Sequence, residues 1–141
     1  MRISKQWLLS VVLATSLISF VGCRGGGDPG VVRVTGTVTM EGKPLPNATV
    51  LFVSGQGRPS GALTDESGRY ELNYTGHQKG ARIGHNRVQI TTAQGPSETM
   101  EGEPVPAIPE SIPAKYNSRS ELEFTVTEDG ENVANFELSS K

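Results

Sequence analysis

The sequence predicts an all-β fold, an antiparallel β-sandwich of about seven strands. Three observations carry that prediction. From Val31 onward, apolar residues alternate with polar ones in several short segments. Glycine and proline, 17 and 9 of 141 residues, fall mostly between those segments and read as turns. No segment carries a helical period.

The N-terminal residues precede the fold. Arg2 and Lys5 form a positive start, and Leu8 to Val21 is an apolar run broken only by Ser and Thr. A membrane-spanning helix needs about 20 apolar residues, so this run reads as a cleaved secretory signal over residues 1–22. Residues 23–30 follow as a tether. Its Arg24-Gly25-Gly26-Gly27-Asp28-Pro29-Gly30 stretch is flexible in composition and has no capacity to pack. Residues 31–141 are left for the sandwich.

Val32, Val34, Gly36, Val38 and Met40 share one face of the first strand, with Arg33, Thr35, Thr37 and Thr39 on the other. Glu41 to Pro44 is a turn. Ala48 to Val53 is nearly continuous in apolar residues and suits a central strand covered on both faces. Ser54 to Ser60 is loop. Ala62 to Leu72 reads as a hairpin, with Asp65 accepting backbone hydrogen bonds at its turn and Gly68 taking the left-handed conformation. Tyr70, Leu72 and Tyr74 then point inward. Thr75 to Gly84 reads as polar loop. Asn86 to Thr92 places Val88 and Ile90 inward, and Glu121 to Thr127 does the same with Leu122, Phe124 and Val126. Asp129-Gly130 signals a second hairpin turn, and Val133 to Leu138 closes the chain.

Gln94 to Ser120 has no strand pattern and holds Pro96, Pro104, Pro106, Pro109 and Pro113. Unpatterned loops longer than about 12–15 residues are usually functional or disordered. The expectation is an insertion at 94–120 that runs extended over the surface, with Tyr116 pinning its return to the sheet. Its candidate binding residues are Glu103, Pro109, Lys115, Tyr116 and Asn117.

Two resemblances add to this reading. Val21-Gly22-Cys23 resembles the lipobox of a bacterial lipoprotein signal, although Phe20 stands where that family usually has Leu. The resemblance implies cleavage before Cys23, a thioether-linked lipid on its sulfur and acylation of the new amine. Several acyl chains give stable anchoring. Arg24 after the cysteine, by likeness to the sorting rule of enteric bacteria, favours the outer membrane. Second, Val34-Thr35-Gly36-Thr37-Val38 with Gly42 to Val50, and Thr64 to Leu72, resemble the signatures of the carboxypeptidase regulatory-like domain. That likeness implies a transthyretin-like (prealbumin-like) sandwich without catalytic function.

Composition narrows the alternatives. One cysteine excludes an internal disulfide, and the net charge of −2 argues against a nucleic-acid partner. The Tyr-Arg-Gly-Ser ending of hydroxyisourate hydrolases is absent. No Gly-x-Ser-x-Gly elbow occurs, since Val53-Ser54-Gly55-Gln56-Gly57 lacks the first glycine. His77 and His85 with Asp65 or Glu66 supply too few ligands at a recognised spacing for zinc, and the Asp65–Gly68 turn too few oxygens for calcium. No cofactor or metal is expected. The chain therefore reads as a lipid-anchored, non-catalytic cell-envelope protein. Its sandwich is a binding or structural module, and its partner is the membrane, through Cys23, with an unidentified envelope protein or glycan besides. One alternative is a carbohydrate- or protein-binding domain acting through the 94–120 loop; the catalytic alternative is a cryptic hydrolase built on His85.

Overall fold

The computed structural model describes residues 26–141. The predicted signal and Cys23 lie outside the described residues. Among the described residues the fold is all-β, two larger facing sheets with two two-stranded ribbons and one short 3-10 helix.

The chain enters through β1 (Val31–Val32) and β2 (Val34–Met40). Glu41 and Gly42 both take positive φ, 50° and 77°, and fold the chain back into β3 (Lys43–Pro44). Positive φ at both positions of a two-residue turn matches the twist of the flanking strands. Next come β4 (Thr49–Ser54), β5 (Ser60–Leu63), β6 (Arg69–Glu71) and β7 (Asn73–Thr75). They are followed by β8 (Gln78–Lys79), β9 (Ala81–Arg82) and the long β10 (Gly84–Thr91). Then come β11 (Ser97–Glu98), β12 (Pro104–Val105), the 3-10 helix Ala114–Tyr116, β13 (Leu122–Val126), β14 (Asn132–Val133) and β15 (Phe136–Leu138).

One sheet has the order β13-β10-β4-β5-β7-β8. The other is built around β2, with β3 and β6 on one edge and β14 and β15 on the other. The alternation seen in the sequence puts Val34 and Val38 of β2 against Val50, Phe52, Val88, Ile90 and Val126 of the larger sheet, all buried. Burying such a side chain contributes about 1.5–3 kcal/mol each. Phe52 sits between Phe124 and Phe136, ring centroids 5.8 and 6.4 Å away, and closes the β13–β15 side.

Six expectations are corrected by the structure. The 62–72 segment is not a paired hairpin. Its turn closes with Asp65 N–H to the Arg69 carbonyl at 2.9 Å, after which β5 stays with β4 while β6 joins β2. The turn thus carries the chain between layers. The Asp129-Gly130 turn does likewise, and β14 and β15 pair parallel to β2, so pairing is not wholly antiparallel. The Thr75–Gly84 stretch is not all loop. β8 folds back on β7, and β9 pairs with β1, burying Ala81. The Ala48–Val53 run is covered fully on one face only, with Leu51 and Val53 half-buried on the outer face between neighbouring strands. Residues 94–120 contain a hairpin rather than a patternless loop. Finally, the tether packs from Asp28 onward. Asp28 N–H donates to Gln78 Oε1 at 2.9 Å, Gln78 Nε2 donates to the Asp28 carbonyl at 2.8 Å, and the Asp28 carboxylate pairs with Arg82.

Gly36 marks the tightest place in the fold. An added Cβ would collide with the Ala134 carbonyl oxygen and lie 2.7 Å from the Tyr70 hydroxyl. That hydroxyl donates to the same carbonyl at 2.6 Å and ties β6 to the last strands across β2. Burial pushes the Tyr70 phenol well above its ordinary pKa, so it remains a donor.

Candidate functional site

The chain beyond β10 leaves the sandwich as an arm. Gln94 and Ile108 exchange both backbone hydrogen bonds at 2.9 Å and form its neck. Beyond the neck, β11 pairs with β12 in the register Ser97 to Val105 and Glu98 to Pro104. Proline suits such a strand because neither outer edge needs its N–H. At the tip, Gly102 N–H donates to the Thr99 carbonyl at 2.9 Å, Thr99 N–H to the Glu103 carbonyl at 2.8 Å, and Glu103 N–H to Thr99 Oγ1 at 3.1 Å. Gly102 takes φ 82° to close the turn.

Every residue from Ala93 to Ser111 is exposed. Met100 projects fully into solvent from the tip, and Val105 and Ile108 are exposed along the arm. Pro96, Ser97, Glu98, Pro104, Val105 and Pro106 line an open depression of about 730 Å³ on it. Residues 94–108 hold Glu98, Glu101 and Glu103 and no Lys, Arg or aromatic residue. The arm is therefore acidic, with apolar side chains interleaved.

The base is held differently. Glu110 straps the arm to the end of β10. Its carboxylate accepts from Thr92 N–H at 3.0 Å, Thr92 Oγ1 at 2.5 Å, Ile112 N–H at 3.2 Å, and the Thr91 hydroxyl. Partial burial alone raises this carboxyl's pKa, but the donors from Thr91, Thr92 and Ile112 outweigh it and bring it down to about 2. Ile112 and Tyr116 are buried in the core. Ser139 N–H donates to the Tyr116 hydroxyl oxygen at 3.0 Å, and Lys115 Nζ lies 4.9 Å from the Tyr116 ring centroid. Asn117 Nδ2 donates to the Pro113 carbonyl at 3.2 Å. Ser120 Oγ donates to the Val88 carbonyl at 2.5 Å and returns the chain to β13.

The structure thus divides the residues chosen from the sequence. Glu103 lies at the arm's tip and Pro109 just past its neck, both exposed. Lys115, Tyr116 and Asn117 sit at the base and are not brought to Glu103; Tyr116 is a core residue, not a presented one. Asp65 and Gly68 form the layer-switching turn. Asp65 Oδ1 accepts from Ser67 Oγ at 2.7 Å, Ser67 N–H at 2.9 Å and Arg69 N–H at 3.0 Å, which holds this carboxyl below its usual range. Met100, Val105 and Ile108 were not singled out by sequence, and Glu110 stood out there only as one of the acidic residues of the Pro-rich loop, not as its strap. The apolar residues among prolines were the one available signal for the first three.

His85 Nε2 faces Glu123 Oε2 at 3.1 Å, with both side chains about three-fifths exposed. No hydroxyl nucleophile bonds it among the described residues. His77 lies on the exposed β7–β8 turn, where its backbone N–H donates to Thr75 Oγ1 at 3.3 Å. No three His, Cys, Asp or Glu side chains converge among the described residues.

No family model matches the chain, and no curated protein matches it. Among solved structures, it is similar to a DUF3823 family protein from Parabacteroides merdae, with 15% identity and a TM-score of 0.41 over 80% of this chain. It is also similar to part of a 9R-lipoxygenase from Cyanothece, with 13% identity and a TM-score of 0.39 over 80% of this chain. The chain spans 48% of the first structure's length and 17% of the second's.

Proposed function

We propose that this chain is a non-catalytic, lipid-anchored protein of the bacterial cell envelope, whose sandwich holds out the 94–108 arm to a partner protein. The observation that carries the reading is the exposure of Met100, Val105 and Ile108 on a hairpin strapped rigidly at its base. A two-stranded ribbon is marginal alone, and open strand edges beside apolar side chains are a liability unless something covers them. A protein partner suits the arm better than a glycan, because sugar rings stack on aromatic side chains and the arm has none. Three carboxylates without a base favour a partner groove that is basic at its rim and apolar within.

The anchoring half rests on Arg2, Lys5, the Leu8–Val21 run and Val21-Gly22-Cys23. The domain half rests on the likeness of Val34–Val38, Gly42–Val50 and Thr64–Leu72 to the carboxypeptidase regulatory-like domain. Non-catalysis rests on the exposed setting of His85, which faces Glu123 but no hydroxyl nucleophile among the described residues.

Two measurements test this. Cys23→Ser should move the protein from the membrane fraction to the soluble fraction; continued membrane retention sinks the anchoring. A photo-crosslinking residue at Met100 should capture one discrete envelope protein that the same residue at exposed Lys43 does not. Equal capture at both positions removes the arm's role.

A further inference from the structure

The tether is docked at one end of the sandwich, from Asp28 onward. Asp28 is held at five points: Gln78 by two reciprocal bonds, Arg82 by an ion pair, Gly30 N–H on Oδ1 at 2.9 Å, and Val31 N–H on its carbonyl at 3.1 Å. Arg82 is in turn packed over the Tyr74 ring, 5.8 Å from its centroid, and against Gly57. Only five peptide steps separate Cys23 from Asp28, at most about 18 Å of extended chain. Part of that length is taken up in crossing the headgroups. A lipid on Cys23 therefore keeps the Asp28 corner close to the membrane surface.

That corner has its own chemistry. The 55–59 loop and the 75–79 turn flank the clasp, and they carry Arg58, His77 and Lys79 without a carboxylate. Lys79 has one acidic neighbour, Glu71 at 3.9 Å. The acidic turn of Glu128, Asp129 and Glu131 lies at the same end of the strands, but beside β13, the edge of the sheet opposite β8. The arm leaves from the far end of β10, whose eight residues span about 24 Å. Ile83 N–H, at the near end, bonds the Gly30 carbonyl at 2.9 Å, whereas Thr92, at the far end, bonds Glu110.

We propose that residues 55–59 and 75–79 form a bilayer-facing corner whose ligand is anionic lipid headgroups, with the Asp28 clasp holding it there and the acidic arm directed outward. The inference rests on the anchoring reading above. Tether length selects the corner, and charge complementarity holds it, each Lys or Arg near an anionic surface being worth about fivefold in affinity.

The only tryptophan is Trp7, in the predicted signal, so an introduced one reports alone in a chain starting at Cys23. Among the described residues the buried core runs from Val31 to Leu138, so such a chain retains it. The chain is coupled through Cys23 to a maleimide phospholipid in vesicles containing about one-third phosphatidylglycerol. Fluorescence quenching by a headgroup-spin-labelled lipid is then compared for His77→Trp and Met100→Trp. The expected result is at least threefold stronger quenching at position 77. The contrast should shrink in an Asp28→Ala background, in an Arg58→Glu, Lys79→Glu background, and on purely phosphatidylcholine vesicles. Equal quenching at the two positions, or a contrast that ignores both charge reversal and lipid composition, overturns the proposal. Because the anchor is imposed chemically, the result is separate from whether cells lipidate Cys23, which fractionation of Cys23→Ser decides.

Discussion

The Asp65–Gly68 and Thr99–Gly102 turns are built alike. In each, the fourth residue is a glycine with positive φ, 74° and 82°, whose N–H donates to the first residue's carbonyl at 2.9 Å. In each, the first residue's side chain accepts from the backbone N–H of the residue after the glycine, Arg69 at 3.0 Å and Glu103 at 3.1 Å. The surroundings differ. A Cβ on Gly68 would strike the Val38 carbonyl and approach Leu45 N at 3.2 Å, whereas one on Gly102 meets nothing within 4 Å. Gly68 closes the first turn buried against Val38, Pro44 and Leu45, whereas the second turn ends in water. Local turn chemistry shapes both, but only contact with the rest of the fold makes one of them structural.

The sharpest way to break that contrast is the same substitution at both glycines. Left-handed backbone costs a non-glycine residue about 1–2 kcal/mol. Gly68→Ala adds the collision with Val38 to that cost, for a loss of more than about 3 kcal/mol and a fall in Tm of about 10 °C or more. Gly102→Ala should lower Tm by less than about 2 °C, because its cost falls on an arm that opens separately from the core. Comparable falls in the two melting curves would mean that the arm is part of the cooperative unit.

The core side sharpens further at Tyr70. Tyr70→Phe keeps the ring over Gly36 and removes the only hydrogen bond made to the Ala134 carbonyl among the described residues. A buried unpaired carbonyl costs roughly 1–3 kcal/mol, or about 4–10 °C of Tm. A melting curve unchanged by the substitution would mean that water replaces the hydroxyl.

These residues also show why sequence reached some features and not others. Val34 and Val38, and Val88 and Ile90, were legible as core because a period of two is a local property, while Val50 and Phe52 were legible only as part of a continuous apolar run that did not tell the inner face from the outer. The Asp65–Gly68 and Asp129–Gly130 turns were legible as turns. Their topology was not, since the same four residues serve a paired hairpin or a crossing between layers, depending on what the next strand packs against. The arm was hidden because its strands are two residues long and rich in proline. The Glu110 strap and the Asp28 clasp were hidden because their partners lie 18–19 and 50–54 residues away. A charged residue in a polar stretch gives no sign of such a partner.

Between core and arm stands the Glu110 strap, and its effect should be local. Its pKa is depressed to about 2 in the fold, below the roughly 4.3 of a free glutamate. The strap therefore contributes fully above that unfolded value and is lost as pH falls from there toward about 2. Protection of the Thr92, Ser111 and Ile112 amides, taken relative to the intrinsic exchange rate at each pH, should fall across this window while Val88 and Ile90 stay protected. Glu110→Gln should remove that pH dependence of protection and leave these three amides less protected at neutral pH. Protection unchanged across the window in the wild type would rule the strap out.

The smallest effect on stability belongs to Met100, and it carries the most information about the arm. Its side chain is fully exposed and buries nothing, so Met100→Ala should leave Tm within about 1 °C. If the tip is an anchor inserted into a partner groove, the same change should weaken capture of that partner about tenfold or more, as truncation of a central apolar contact does. Loss of capture with an unchanged melting curve would separate binding from folding at one residue. A fall of several degrees instead would mean that the tip packs on the sandwich in solution. Unchanged capture would shift the contact to the prolines and carboxylates, where Glu98→Gln with Glu103→Gln should weaken it in a salt-dependent way.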